Sequence, residues 1–246
     1  MDFDFYRARL EQYQIVGNIS ITLQNFLEFT IGLGAQYTDV DEERGSDNIL
    51  NEPQLGINPN VFSSQYYAIL TSGISLKDVD NAMNPHYGFK FSFNTTGNLG
   101  LNLYSSEHIQ LTSTSTFYVS SSSKRQFTFA GRVGGDHLIG SFPFYQANTL
   151  GASKNLRGYS NQRFSGRSTI FANAEVRLEL VNFYRYLFGG KGGILSFYDV
   201  GRVWTDGENS KILYNGYGGG VWFNIFDEVL ISAYYGTSGS ENSFEV

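Results

Sequence analysis

The side chains that most often carry chemistry are sparse in this chain and poorly spaced for it. Three histidines, His86, His108 and His137, lie far apart, with no His-Glu-x-x-His run and no carboxylate at metal-ligand spacing. They read as loop or strand-end residues, and no metal site is expected. Ser121-Ser122-Ser123-Lys124 matches a Ser-x-x-Lys pattern, whose chemistry needs the two residues one helical turn apart. Here the run sits in a polar turn between strand candidates, and it reads as that turn. Gly218-Gly219-Gly220 is followed by neither Lys-Ser/Thr nor a helix, so it is no phosphate loop. Glycines on a strand instead permit curvature or close backbone approach. Carboxylates are numerous, but no spacing pairs two of them for acid–base work. The expectation is a non-enzyme without a cofactor.

What the remaining residues build is set by composition and periodicity. The 246 residues include 28 Gly, 17 Tyr and 21 Phe, four Pro and no Cys. Aromatic residues reach 16%, hydrophobic residues 41% and charged residues only 16%. That balance suits apolar surface spread over many strands more than one dense core, with aromatic rings where strands meet a membrane interface. A net charge of −6 offers no basic face to nucleic acid. Without cysteine there is no disulfide framework and no thiolate metal site. No stretch approaches roughly 18 uninterrupted apolar residues, so a transmembrane helix is excluded.

Alternation with period two runs from end to end. Leu27, Phe29, Ile31, Leu33, Ala35 and Tyr37 fall on one face, against Glu28, Thr30, Gly32, Gly34 and Gln36. Phe89, Phe91 and Phe93 oppose Lys90, Ser92 and Asn94. Ile170, Ala172, Ala174, Val176, Leu178 and Leu180 oppose Thr169, Phe171, Asn173, Glu175, Arg177 and Glu179. A soluble sandwich also alternates. The run of Asn173, Glu175, Arg177 and Glu179 points instead to a wet lumen on one side and lipid on the other. Strands are expected at 3–15, 25–39, 65–77, 87–98, 107–121, 125–140, 167–182, 192–205, 215–226 and 228–238, with a stub at 242–246. Long polar links at 40–64, 141–166 and 206–214 alternate with short ones near 122–124 and 227–228, as in outer-membrane barrels.

The fold class is therefore all-β, a transmembrane antiparallel β-barrel forming a single unit over residues 1–246. An odd strand count and the abrupt stub imply that the barrel is incomplete in this chain, with strands missing at the start and the last one cut short. The start, Met1 to Phe5, has no basic and apolar signal region, and a mature or trimmed fragment is expected.

One segment singles itself out. The link of about 25 residues before the strand at 167 is longer than most loops, and long loops are usually functional or disordered. It carries Leu156-Arg157-Gly158-Tyr159, then Arg163-Phe164 and Gly166. Three further motifs flank it in order: Asn84-Pro85-His86-Tyr87-Gly88, Asn173-Ala-Glu175-Val-Arg177, and Phe197-Tyr-Asp199-Val-Gly201. Together they resemble the outer-membrane protein assembly superfamily, the BamA/TamA-like barrels also called bacterial surface antigens. The likeness spans roughly residues 65 to 240 and rests on four motifs in the family's order: an Arg-Gly-aromatic loop tip, a Pro-x-x-Gly turn, an Asn-x-Glu-x-Arg strand and a Phe-x-Asp-x-Gly strand.

The resemblance implies the C-terminal part of a 16-stranded barrel in the outer membrane of a Gram-negative-type bacterium. Its sixth extracellular loop, 142–166, would fold back into the lumen. The implied function is insertion or translocation of other proteins, with lipid, client polypeptides and periplasmic accessory proteins as partners and no nucleic acid. In that family the first and last strands form a weak seam able to template a client strand. The periplasmic modules and the complete, aromatic-ended last strand of the family are not in the chain. A membrane anchor for a preceding enzymatic domain and a passive porin or receptor are the alternatives.

If the tip enters the lumen, Arg157 needs a carboxylate, because an unpaired buried guanidinium is costly. Glu175 and Asp199, on neighbouring strands, are the partners in reach. Taken alone, the residues favour a solvated Arg157 with Glu175 paired to Arg177; the resemblance reverses that preference. Gly158 would let the backbone turn sharply or approach a wall.

Overall fold

The computed structural model describes residues 9–41, 58–121, 126–185, 188–208 and 211–245. Ten strands and a stub form one antiparallel meander. They are β1 (Leu10–Leu23), β2 (Leu27–Val40), β3 (Gln65–Val79), β4 (Gly88–Gly100), β5 (His108–Ser120), β6 (Phe127–Gly140), β9 (Ser168–Arg185), β10 (Phe188–Trp204), β11 (Tyr214–Ile225), β12 (Val229–Thr237) and β13 (Asn242–Glu245). Between β6 and β9 a two-stranded ribbon, β7 (Asn148–Leu150) with β8 (Phe164–Gly166), encloses a one-turn helix at Ala152–Asn155. Among the described residues β1 pairs only with β2 and β13 only with β12, so the sheet is not closed.

Side-chain exposure inverts the pattern of a soluble sandwich. Ile31 and Leu33 are 59% and 71% exposed, whereas Gln36 and Thr38 on the opposite face are 6% and 1% exposed. Apolar residues turned out and polar ones turned in is the arrangement of a barrel whose outer solvent is lipid. Tyr13, Tyr37 and Tyr66 lie opposite one another on β1, β2 and β3, with ring centroids 6.2 and 5.2 Å apart. They form an outward aromatic patch at the end carrying the long links, where amphipathic rings sit at a membrane interface.

The structure corrects the expected elements at three places. The first strand, expected at 3–15, runs on to Leu23 and is described from Leu10; its expected start lies outside the described residues. Its extra length comes from a tight hairpin. Three residues, Gln24 to Phe26, join the paired Leu23 and Leu27, and Gln24 and Asn25 both have positive φ, 54° and 59°, as the central residues of a primed turn do, although neither is the usual glycine. Phe226 and Asp227 repeat the device at φ 56° and 57°. Second, the long link contains regular structure of its own, the β7–β8 ribbon. Third, the face alternation of β9 is interrupted: the register with β10 skips Leu180 between Gly192 and Gly193, a bulge that turns Leu180 and Val181 both outward. Most of the 40–64 link, residues 42–57, and most of the Ser-Ser-Ser-Lys turn, 122–124, lie outside the described residues.

Candidate functional site

The loop joining β6 to β9 is folded onto the inner wall by its own small core. Leu150 and Leu156 are fully buried, and with Tyr159 and Phe171 they form one cluster, against which Phe164, Val203 and Tyr214 pack. Phe164 stacks on Tyr214 at 3.7 Å between centroids. Phe171, an apolar residue on the otherwise polar face of β9, is explained here: its ring is the floor on which the loop sits. Gly201 of β10 provides room, since a Cβ there would lie 3.0 Å from Leu150 Cδ1. Polar contacts fix the backbone. Asn155 accepts from the Gly151 N–H and donates to the Thr149 carbonyl, both at 2.9 Å. Asn173 Nδ2 donates to the Asn155 carbonyl and Arg132 Nη2 to the Lys154 carbonyl, at 2.9 and 2.8 Å.

This places Arg157 between two strands. Asp199 of β10, with 0% exposure, accepts from Arg157 Nε and Nη2, each at 2.8 Å, and from its backbone N–H at 3.0 Å. Arg157 Nη1 donates to Glu175 Oε2 on β9. The guanidinium carbon lies 3.8 Å from the Phe197 ring centroid, so the fork is stacked as well as bonded. Burial works against the Arg157 charge, but the hydrogen bonds and charge of Asp199, with those of Glu175, outweigh it and hold the group protonated above its ordinary range. Glu175 Oε1 meanwhile accepts from Arg177 Nε at 2.7 Å, so the two pairings weighed from the sequence exist together. Arg177 Nη1 continues to Asn84 Oδ1 at 3.1 Å, in the Pro-x-x-Gly turn between β3 and β4.

Gly158 is required by both conformation and space. Its φ is +93°, and a Cβ would lie 2.8 Å from the Thr237 carbonyl carbon and oxygen. Two glycines receive the tip: a Cβ on Gly216 would fall 1.8 Å from the Arg157 carbonyl oxygen, and one on Gly236 would fall 2.9 Å from Gly158 N. Gly218 likewise faces a wall, with Tyr235 O at 2.1 Å from its would-be Cβ. Gly166 closes the loop beneath the Trp204 carbonyl.

All eleven site residues named from the sequence are thus placed: Leu156 and Tyr159 in the loop core, Arg157 on Glu175 and Asp199, Gly158 on β12, Arg177 behind Glu175, and Phe164, Gly166 and Gly201 as packing elements. Arg163 stands apart from the ion cluster and bonds Glu241 in the turn before β13. That carboxylate also accepts from Ser160 N and Oγ at 3.1 and 3.0 Å, and the Gly158 N–H donates to Ser243 Oγ at 3.1 Å. The Ser160 N–H and the Arg163 guanidinium hold the Glu241 carboxyl below the usual carboxylate range. Glu241, Ser243, Asn155, Asn173 and Arg132 were missed as loop partners. Phe171 had a visible signal, its break in the polar face; Glu241 had none, being 78 residues from Arg163 in an ordinary polar turn.

Comparison with known proteins supplies the family. The model of the Omp85 superfamily domain matches residues 2–224. The chain belongs to the Omp85 superfamily. Its fold is similar to that in the crystal structure of BamA from Haemophilus ducreyi lacking POTRA domains 1-3, with a TM-score of 0.72 at 16% sequence identity. The alignment covers 97% of this chain and 53% of that one, so this Omp85 chain spans about half the length of that structure. No match is found among curated proteins. The all-β, antiparallel transmembrane barrel read from the sequence is the architecture that the superfamily match and the structural likeness share.

Proposed function

We propose that this Omp85 barrel lies in the outer membrane of a Gram-negative-type bacterium and inserts or translocates other proteins there, without covalent chemistry. The observation that carries the reading is the loop tip fixed by Arg157 between Glu175 and Asp199 on adjacent strands. A pore that only filters solutes needs its loops to narrow a channel. It has no need of one guanidinium satisfied by two carboxylates, stacked on Phe197 and backed by a glycine pair. Such a tip is a separately packed part held in one defined position, which suits a barrel whose wall and lumen must accommodate a polypeptide. Client polypeptides are the partners on this reading, with periplasmic accessory proteins delivering them.

The test is depletion of the full-length protein in its own cells, followed by quantitation of outer-membrane barrels and secreted proteins. Loss of either class, restored by the wild-type protein and not by Arg157→Ala at equal membrane abundance, is the expected result. Unchanged outer-membrane and secreted protein profiles would overturn the proposal.

A further inference from the structure

Below the loop tip the lumen holds a half-open cavity of about 330 Å³, at the small end of the range for ligand pockets. Arg132, Arg157 and Arg177 line it from β6, the loop tip and β9, and Leu195, Trp222 and Leu230 line it from β10, β11 and β12. Its charge is unbalanced. Among the described residues Glu175 is the one carboxylate on the lining, and it is already shared between Arg157 and Arg177. Asp199, sealed away with 0% exposure, balances Arg157, so the three arginines keep one positive charge in excess of the two carboxylates. Tyr118 also lines the cavity, and Lys90 Nζ lies 5.5 Å from its ring centroid. Lys90 sits directly opposite Lys77 in the β3–β4 register. Like charges so placed are destabilising, and among the described residues neither lysine has an ion-pair partner. A chain with a net charge of −6 has therefore gathered cations at this one inner surface.

Donors are left over as well. Arg132 spends Nε on Asn173 and Nη2 on the Lys154 carbonyl, and Arg177 spends Nε on Glu175 and Nη1 on Asn84. Arg132 Nη1 and Arg177 Nη2 make no hydrogen bond among the described residues. Guanidinium N–H groups of this kind take carboxylate oxygens in charge-assisted bonds. The lining from β10, β11 and β12 is largely apolar, with Ser232 and Tyr234 beside Leu195, Trp222 and Leu230, and a bare inorganic anion would leave the apolar part uncovered. We infer that the cavity binds a carboxylate carried next to an apolar side chain, that is, an acidic, apolar-flanked segment of a polypeptide within the lumen. Arg132 and Arg177, with Lys90 adjoining, hold the carboxylate, while Leu195, Trp222 and Leu230 hold its neighbour. Calling that polypeptide a client rests on the function proposed above; the site itself does not.

Fluorescence anisotropy on the full-length protein in lipid nanodiscs tests it, using a labelled peptide of alternating Leu and Glu and the same peptide with Gln for Glu. The acidic peptide should bind at least about tenfold more tightly, and the preference should shrink as salt screens the charges. Arg132→Gln should remove most of the preference. Because Arg132 also holds the Lys154 carbonyl, Lys90→Gln serves as the second variant, expected to weaken acidic-peptide binding roughly threefold with the loop contacts intact. Equal binding of the two peptides would overturn the site. So would displacement of the acidic peptide by inorganic phosphate far beyond that by chloride at equal ionic strength, which would mark a bare oxyanion site. An insertion assay on the same nanodisc preparations separates the two proposals: charge-selective binding without insertion or translocation sinks only the functional reading, and the converse sinks only the site.

Discussion

Replacing Arg157 by Ala should free the loop tip while leaving the barrel wall folded. The side chains of Arg157 and Asp199 are 11% and 0% exposed. Truncating the arginine leaves the Asp199 carboxylate buried with only the residue-157 N–H as donor. Breaking a fully buried pair in this way costs about 3–5 kcal/mol. The tip can relieve that cost by lifting off, and it is resisted by Leu150, Leu156 and Tyr159, each contributing about 1.5–3 kcal/mol of buried apolar surface. Water in the lumen softens the ionic loss further, so the shift in loop opening should be about 2–3 kcal/mol. At 1.4 kcal/mol per tenfold, that is roughly a 30- to 150-fold faster hydrogen exchange at amides 151–160, with amides of β9 and β10 unchanged. Asp199→Ala should cost less, because Arg157 keeps Glu175 and its stack on Phe197. The double variant should therefore fall short of the sum by about 1–2 kcal/mol. Arg157→Lys should lie between wild type and Ala, retaining charge and losing the fork. Effects of Arg157→Ala and Asp199→Ala that add to within about 0.5 kcal/mol would refute the reasoning, since independent groups behave that way.

Gly158→Ala changes no charge yet should reproduce the Arg157→Ala exchange pattern, with at least a tenfold acceleration, because a left-handed φ of +93° and a Cβ 2.8 Å from the Thr237 carbonyl act together; unchanged exchange would show that the tip has slack. The contact between Glu241 and the loop should respond to acid. The folded-state carboxyl is held below its ordinary range near pH 4.5 by the Ser160 N–H and Arg163, so its contribution is present above that pH and is lost as pH falls from there through the depressed value. A spin label at Asn161 should become mobile over that acid window, and Glu241→Gln should make the label mobile at neutral pH too and remove the transition. A Gln variant with an undiminished acid transition would assign the effect to another group.

The relation of these sites to the sequence depends on what kind of interaction each one is. The Arg157 pairing was legible only through the family's motif order, because a lone Arg-Gly-Tyr carries no information on direction. Its chemical need for a carboxylate followed from burial, and the strand pattern put Glu175 on the lumen side. The second clasp, from Ser160 and Arg163 to Glu241, was not legible. Both partners are ordinary polar residues in links, and nothing local records that a turn near the end of the chain meets a loop near its middle. The positive charge around the lower cavity was hidden in the same way: Lys77, Lys90, Arg132 and Arg177 are scattered over four strands, and only the register brings them to one surface.

The sequence by itself determined that the chain forms strands with two faces, and the environment each face needs, because alternation is a local property and the apolar residues of β2, β4 and β9 repeat at the period of the pleat. It also determined that the tip would need glycine and a counter-charge for arginine. Tertiary structure alone decided which of two carboxylates Arg157 would bind, and the result is both. It also decided that the first hairpin turns at Gln24-Asn25 without glycine, that Leu180 bulges, and that Phe171 serves the loop instead of breaking the lumen face. These outcomes depend on distances between residues remote in the chain. Such distances are fixed by the hydrogen-bonded register of the whole sheet and by packing against it, and no window of local sequence contains them.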